Sequence, residues 1–121
     1  RDKGRGVTRR SREAPRKMGH KVVWSPEALD DVDAIAGYIA RDSAFYATTV
    51  VNRILETSRS LNQFPYLGRA VPELGQDYIR ERFVYSYRLV YRVAQDTITV
   101  VAVIHGKRQF DAVADRMDTE K

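Results

Sequence analysis

Apolar and polar positions alternate along two stretches in the second half of the chain, and this alternation predicts two long β-strands. Period-two spacing of β-branched and aromatic residues is typical of strands with one buried face. The two stretches are separated by a short polar turn at Gln95 and Asp96, which indicates a β-hairpin. The alternating apolar positions are Tyr87, Leu89, Tyr91 and Val93, followed by Ile98, Val100, Ala102 and Ile104.

The hairpin turn sets which residues of the two strands face each other. In an antiparallel pair the sum of two paired positions is constant. A turn centred on residues 95 and 96 pairs Val93 with Ile98, Tyr91 with Val100, Leu89 with Ala102 and Tyr87 with Ile104. On the opposite face Arg88 and His105 become diagonal neighbours, roughly 7 to 8 Å apart. A shift of one residue would move one strand's side chains to the other face, so the register is itself a prediction.

Two segments before this hairpin have helical spacing. Ser25 is a favourable N-cap and Pro26 suits the first helical position. Ser43 restarts a second helix, which Pro65 ends. The predicted apolar positions are Leu29, Val32, Ile35, Ala36 and Ile39, then Ala47, Val50, Val51, Ile54 and Leu61. The short link predicts an antiparallel αα-hairpin, whose apolar face would cover the apolar face of the sheet.

The order of these elements predicts an α+β fold. A short N-terminal strand at residues 21–24 is followed by the αα-hairpin and then by a three-stranded antiparallel sheet region packed on the helices. Residues 18–110 form this single domain. Residues 111–121 are expected to be a polar C-terminal tail with net charge −2, either irregular or a frayed helix. Residues 1–17 lack apolar periodicity and are expected to be a disordered basic extension.

The charge of the chain, net +5, is unevenly distributed. Residues 1–17 hold eight Lys or Arg against two acids, which leaves residues 18–121 with thirteen bases and fourteen acids, net −1. Within the domain, residues 21–68 carry four bases and six acids, whereas residues 69–110 carry seven bases and four acids. The helical end is therefore acidic and the sheet end basic, which directs the search for a binding surface to the sheet.

The sequence lacks the signals of several common functional sites. It has no cysteine, and two histidines do not supply a zinc site, so we expect no metal and no cofactor. It has no glycine-rich phosphate loop and no nucleophile elbow. No run approaches the roughly 18 apolar residues of a membrane span, so no membrane association is expected.

What remains is a set of arginines and one histidine on the predicted sheet. Arginine binds phosphate oxygens with two parallel hydrogen bonds, and histidine transfers protons near neutral pH. Such a surface suits a phosphodiester. On RNA, the 2′-hydroxyl would serve as the nucleophile without a metal. The same surface would also suit an acidic protein.

The sequence from Lys21 to Arg108 resembles the RelE/ParE superfamily of bacterial type II toxin-antitoxin toxins. The motifs that carry the resemblance are VVWSPEALDDVDAIAGYIA, FPYLGR, IRER, YRLVYRV and VVAVIHGKR. The resemblance implies a cytoplasmic toxin of a plasmid-stabilisation type, neutralised by a cognate antitoxin that covers its basic groove. It implies one of two targets, because RelE-like members cut mRNA in the ribosomal A site and ParE-like members poison DNA gyrase.

For a RelE-like nuclease, the resemblance makes three residues catalytic candidates. Arg88 and Arg108 would contact phosphate, and His105 would act as acid or base. Further cations are candidate nucleic-acid or target contacts: Arg69, Arg80, Arg82, Arg92 and Lys107.

The chain departs from RelE at two places. A lysine pair before the YRLVY motif is replaced by the sequence YIRER, and no tyrosine follows Tyr91. The long helical hairpin ending in PYLGR is closer to ParE-like members. We therefore favour a ParE-like toxin acting on gyrase. A metal-independent endoribonuclease and a non-toxic antitoxin-binding module are the alternatives.

Overall fold

The computed structural model describes residues 19–106 and 110–118. Within these residues the strands and helices are β1 (Lys21–Trp24), α1 (Pro26–Ala40), α2 (Ala44–Ser60), β2 (Arg69–Ala70), β3 (Ile79–Val84), β4 (Tyr87–Val93) and β5 (Thr97–His105). A C-terminal 3-10 helix covers Phe110–Asp118. The predicted α+β class, with its N-terminal strand, helical hairpin and following strands, is confirmed.

The strands form one five-stranded mixed sheet in the order β1-β5-β4-β3-β2. The pairs β2–β3, β3–β4 and β4–β5 are antiparallel. β1 joins the sheet by pairing parallel with β5, so that Lys21 lies opposite Thr97 and Trp24 opposite Val100. The N-terminal strand therefore extends the antiparallel region that the sequence predicted.

Both helices begin at the predicted serine caps. The Ser25 hydroxyl accepts a hydrogen bond from the Ala28 amide at 3.0 Å, and the Ser43 hydroxyl accepts one from the Tyr46 amide at 3.0 Å. Each cap satisfies an amide that has no partner within the helix, which locally sets where the helix starts.

The helices cover one face of the sheet. Val50 and Ile54 of α2 are fully buried against Leu89, Tyr91 and other residues of the central strands. Leu29, which we expected in this core, is 50% exposed. The small Ala28 is fully buried instead. Successive residues of a helix point about 100° apart, so Leu29 points away from the sheet when Ala28 faces it.

The other face of the sheet is also covered. Val90, Ala102 and Ile104 pack with residues of the C-terminal 3-10 helix. The apolar side chains of that helix are buried: Phe110, Val113 and Met117. The sequence suggested a polar tail from residue 111 onward, but a few apolar residues at this spacing are enough to close the second face.

A β-bulge divides the pairing of β4 with β5 into two halves. Next to the turn, Val93 faces Ile98 and Tyr91 faces Val100, as predicted. Beyond Val101 the pairing shifts by one residue. The observed pairs are then Val90 with Ala102, Leu89 with Val103, Arg88 with Ile104 and Tyr87 with His105. The predicted pairs of Leu89 with Ala102 and Tyr87 with Ile104 are wrong.

Two charged residues outside the hairpin stabilise this bulge. β1 ends at Trp24. Beyond that point, backbone groups of β5 on this side form hydrogen bonds with side chains instead of with a neighbouring strand. The Asp31 carboxylate of α1 accepts a hydrogen bond from the Val103 amide at 2.9 Å. Arg116 donates to the Val101 carbonyl at 3.1 Å and to Asp31 at 2.8 Å. The register therefore depends on residues far away in the chain, which a hairpin pattern alone does not reveal.

Candidate functional site

Arg88 is the second residue of β4, lies on the face that the 3-10 helix covers, and is 5% exposed. Its Nε donates to Oε1 of Glu81 at 2.6 Å. Its two terminal nitrogens donate to the carboxylate oxygens of Glu73 at 3.0 and 2.8 Å. The ring of Phe110 lies 5.4 Å from the guanidinium carbon. Two carboxylates thus occupy the hydrogen-bonding edges that a phosphate would use.

Glu81 connects Arg88 to a second arginine. Its side chain is fully buried, and its Oε2 accepts a hydrogen bond from Nε of Arg69 at 2.6 Å. We call Arg69, Glu73, Glu81 and Arg88 the buried ion cluster, after its buried pair Glu81 and Arg88; the side chains of Arg69 and Glu73 are 58% and 42% exposed. The hydrogen bond from Arg88 lowers the pKa of Glu73, and the same bond raises the pKa of Arg88. The two hydrogen bonds between Arg88 and Glu73 tie the β2–β3 loop, which carries Glu73, to the sheet.

The glycine of the FPYLGR motif, Gly68, lies next to Glu81 of the buried ion cluster, where there is no room for a side chain. A Cβ on Gly68 would collide with the Glu81 carbonyl oxygen and would lie 2.8 Å from the Tyr91 hydroxyl. The Gly68 amide donates to that hydroxyl at 3.0 Å, and its carbonyl accepts from Nε of Arg80 at 2.7 Å. Three of the motifs that carry the resemblance, PYLGR, IRER and YRLVY, thus meet at one structural junction.

His105 lies at the C-terminal end of β5, on the helix-covered side, and is exposed. It faces Tyr87, with the two ring centres 5.7 Å apart and nearly perpendicular. Arg88 is on the opposite side of the sheet. The predicted proximity of Arg88 and His105 is wrong, because the bulge at Val101 shifts the second half of β5 by one residue and so reverses its faces.

The remaining predicted cations are placed as follows. Arg80 is held by Gly68, by Asp77 at 3.0 Å, and by the ring of Tyr66, whose centre is 5.0 Å from its guanidinium carbon. Arg82 lies opposite Leu89 on β3 and is half-buried; the described residues give its guanidinium neither a hydrogen bond nor an ion pair. Arg92 lies opposite Thr99 and is half-buried. Lys107 and Arg108 lie outside the described residues, so their roles stay predictions.

A group of tyrosines that the sequence analysis did not single out converges near His105. A cavity of about 340 Å³ lies where the α1–α2 turn, the β3–β4 turn and the end of β5 meet. We call it the tyrosine hollow; it is lined by Tyr38, Ile39, Asp42, Ser43, Tyr46, Tyr85, Ser86, Tyr87 and His105. Burial, together with the nearby phenols of Tyr38 and Tyr46, raises the pKa of Tyr87. No periodicity predicts this hollow, because its residues come from the ends of separate elements.

Tyr85 has a backbone φ of 54° in the two-residue turn between β3 and β4. This left-handed conformation favours glycine and costs a residue with a side chain roughly 1 kcal/mol. The side chain is 53% exposed and packs against Tyr46, with ring centres 6.3 Å apart.

Other features of the described residues place limits on the site. No three His, Asp or Glu side chains in residues 19–106 and 110–118 come together as a metal site would require. The helices in the same residues are too short or too polar to cross a membrane.

A larger cavity of about 690 Å³ lies between β1 and the 3-10 helix, lined by Trp24, Arg116 and others, but it contains none of the predicted site residues.

Comparisons with known proteins agree with this geometry. A family model described as "ParE toxin of type II toxin-antitoxin system, parDE" matches residues 22–110. Toxin RelE2 of Caulobacter vibrioides is 33% identical over 89 residues, which cover 73% of this chain and 97% of that protein.

Solved structures show the same fold. A chain of the chromosomal ParDE system of P. aeruginosa superposes with a TM-score of 0.61 at 21% identity, covering 73% of this chain and 97% of that one. The toxin RelE of E. coli, a double-arginine variant in the free state, gives a TM-score of 0.61 at 16% identity, covering 83% and 99%.

Fold and sequence together define a toxin of a type II toxin-antitoxin system, within the RelE/ParE superfamily. Within that class, the chain belongs to the ParE toxin family. Toxins of this class pair with cognate antitoxins.

Proposed function

We propose that this protein inhibits growth by binding DNA gyrase in the cytoplasm, as a ParE-like toxin, and that a cognate antitoxin neutralises it. The observation that carries the proposal is the separation of Arg88 from His105. The two residues lie on opposite faces of the sheet, and the guanidinium of Arg88 is bound by Glu73 and Glu81.

An RNA-cutting site needs a phosphate-binding cation and a proton-transferring group around the same reacting atom, within hydrogen-bond reach. Arg88 and His105 do not meet this condition. For Arg88 to bind a phosphate, the Glu73 carboxylate would have to leave its two hydrogen bonds. This arrangement favours an inhibitor that acts by binding over a nuclease built on these two residues.

The outer edge of the sheet, formed by β2 and β3, is our candidate for the target contact. Arg69 and Phe83 lie on one face of this edge and Arg80 and Arg82 on the other, because neighbouring residues of a strand point to opposite faces. Arg69 stacks over Phe83 and Arg80 over Tyr66, and both aromatic rings are 52% exposed. Arg82 lies on the same strand as Arg80 and has no ion-pair partner in the described part of the chain. Arginine and aromatic residues are enriched at the energetic centres of protein interfaces, which supports a protein as the target.

A supercoiling assay with purified gyrase and the purified full-length chain tests the proposal. We expect inhibition that rises with toxin concentration and is relieved by Arg82→Ala. In parallel, primer extension on mRNA from induced cells should show no cuts phased with codons. Unchanged supercoiling at toxin concentrations in excess of gyrase would overturn the proposal.

The second candidate, a RelE-like nuclease, is favoured by one observation. The curated relative at 33% identity is named Toxin RelE2. Codon-phased cleavage that depends on His105 would establish this alternative, and intact mRNA together with unaffected supercoiling would leave an antitoxin-binding module.

A further inference from the structure

We propose that the tyrosine hollow is a binding site for the side chain of an arginine from a partner protein. This inference does not depend on the identity of the toxin's target. It rests on the ring geometry of the hollow, the charge of its lining and the backbone conformation of Tyr85.

The rings stand at angles around the cavity, as they do in sites that hold a flat cation. Tyr46 and Tyr85 form one pair, with ring planes 58° apart. Tyr87 and His105 form a second pair, with ring planes 79° apart. Tyr38 is 67% exposed and also lines the cavity, so the hollow is open to a side chain arriving from outside.

The polar groups of the lining complement a positive charge. Asp42 supplies a carboxylate, and the phenols and the Ser43 and Ser86 hydroxyls supply oxygen acceptors. Apart from His105, none of the lining residues is basic. The guanidinium of Arg41 lies over the Tyr38 ring, 5.7 Å from its centre, so the chain itself makes one arginine–tyrosine contact at the rim of the hollow.

Arginine fits better than other occupants. Its planar guanidinium stacks on aromatic faces while its edge hydrogen-bonds to a carboxylate. A nucleotide would bring a phosphate next to Asp42, where like charges repel. A purely apolar side chain would offer no hydrogen-bond donor to the Asp42 carboxylate or to the phenol oxygens.

The strain at Tyr85 supports a role in binding. The two-residue hairpin turn requires a positive φ at this position, which glycine adopts without strain, so a tyrosine here has a conformational cost that the turn itself does not call for. Replacing Tyr85 by glycine relieves the backbone and removes one wall of the hollow. A binding role and a structural role therefore predict opposite effects of this change on stability.

The test is NMR of the full-length chain with labelled tyrosine rings, titrated with N-acetyl-argininamide. N-acetyl-citrullinamide is the comparison ligand, because citrulline has nearly the same shape as arginine but no charge. We expect the ring signals of Tyr38, Tyr46, Tyr85 and Tyr87 to shift, with an affinity at least about tenfold higher for arginine than for citrulline.

Variants separate binding from folding. Asp42→Asn should remove the preference for arginine while leaving the melting temperature unchanged. Tyr85→Gly should abolish the shifts without lowering the melting temperature. Phe45→Ala, at an 83% exposed position outside the hollow, is the control and should bind normally.

Three results would overturn the inference. Equal affinity for citrulline would mean that charge is not recognised. Stronger shifts with adenosine monophosphate would mean a nucleobase site. Absence of shifts at the tyrosine rings with arginine would mean that the hollow does not bind this side chain.

Discussion

Arg88 and Glu81 form an ion pair that is almost fully withdrawn from solvent. Nε of Arg88 and Oε1 of Glu81 are 2.6 Å apart, and the side chains are 5% and 0% exposed. Burying two charges is costly, and the cost is offset here because each group has a second partner, Glu73 for Arg88 and Arg69 for Glu81. The arginine of the YRLVY motif is thus part of the protein's interior.

Removing this arginine should destabilise the fold. We expect Arg88→Ala to lower the free energy of unfolding by roughly 3 to 5 kcal/mol, because it leaves a buried carboxylate with one partner fewer. A phosphate-contacting arginine at the surface would instead be removable with the fold intact. Urea denaturation of the purified variant measures the effect, and the Arg88→Met/Glu81→Leu double variant should recover part of the loss. A wild-type denaturation midpoint for Arg88→Ala would contradict the role assigned to the cluster.

Gly68 should tolerate no side chain. The Cβ of Gly68→Ala would press on the Glu81 carbonyl and the Tyr91 hydroxyl, so the loop must move away from β3 and lose its hydrogen bonds. We expect destabilisation of about 1 to 3 kcal/mol, as for overpacking in a core. Gly37→Ala is the matched control: its Cβ meets nothing within 4 Å on an exposed helical position, and it should stabilise by about 0.5 to 1 kcal/mol. Thermal melts that ranked the two variants the other way would refute this account.

The pKa of Glu73 gives a dependence of stability on pH. Because the hydrogen bond from Arg88 lowers the pKa in the folded state, the unfolded chain binds the proton more readily. The contribution of Glu73 to the free energy of unfolding is complete above its ordinary pKa of 4.5, and it is lost as the pH falls through the lower pKa of the folded state.

The comparison of wild type with Glu73→Gln isolates this effect. The Glu73 side chain is 42% exposed, so screening by water limits its contribution to about 1 kcal/mol or less. Urea midpoints measured between about pH 3 and pH 7 should differ most at the upper end and converge at the lower end. A difference that does not change with pH would show that the charge of Glu73 is not responsible.

Arg82 should affect toxicity without affecting stability. It is half-buried on β3, and no hydrogen bond or ion pair to it is found in the described ranges, so its removal leaves no charge uncompensated. We expect Arg82→Ala to reduce growth inhibition at least about tenfold, as loss of an interface arginine would, with an unchanged melting temperature. Arg53→Ala, on the exposed side of α2, removes the same charge elsewhere and should remain toxic. Equal toxicity of both variants would remove Arg82 from the contact surface.

Local signals in the sequence were sufficient for the two helices and the central hairpin but not for the site. Ser25 and Ser43 cap their helices through residues three positions away, so short-range pattern reveals them. The partners of Arg88 are seven and fifteen positions away, on another strand and on a loop. Alternating charges on a strand do not reveal which acidic side chain pairs with which basic one. The sequence therefore predicted a basic functional surface at Arg88, where the structure has the buried ion cluster.

The register of the central hairpin shows the same limit. Near the turn, pairing depends on the turn itself, and the sequence predicted it correctly as far as Tyr91 and Val100. Beyond that point it depends on Asp31 and Arg116, which are 72 and 15 positions from their backbone partners Val103 and Val101. The face on which His105 lies is thus decided by long-range contacts.

This dependence leads to a final prediction about Asp31. Its carboxylate accepts from the Val103 amide and from Arg116, and so joins α1, the bulged strand and the 3-10 helix. Asp31→Ala should leave both donors without that acceptor in a partly buried place and lower the free energy of unfolding by about 1 to 3 kcal/mol. Amide hydrogen exchange should accelerate at Val103 and across the 3-10 helix more than at Val50 in α2, because the loss is local. The neighbouring exposed Asp33→Ala is the matched control and should leave exchange at Val103 unchanged. Uniform acceleration throughout the protein would show that Asp31 supports the whole fold equally, and unchanged exchange at Val103 would show that the bulge is stable without it.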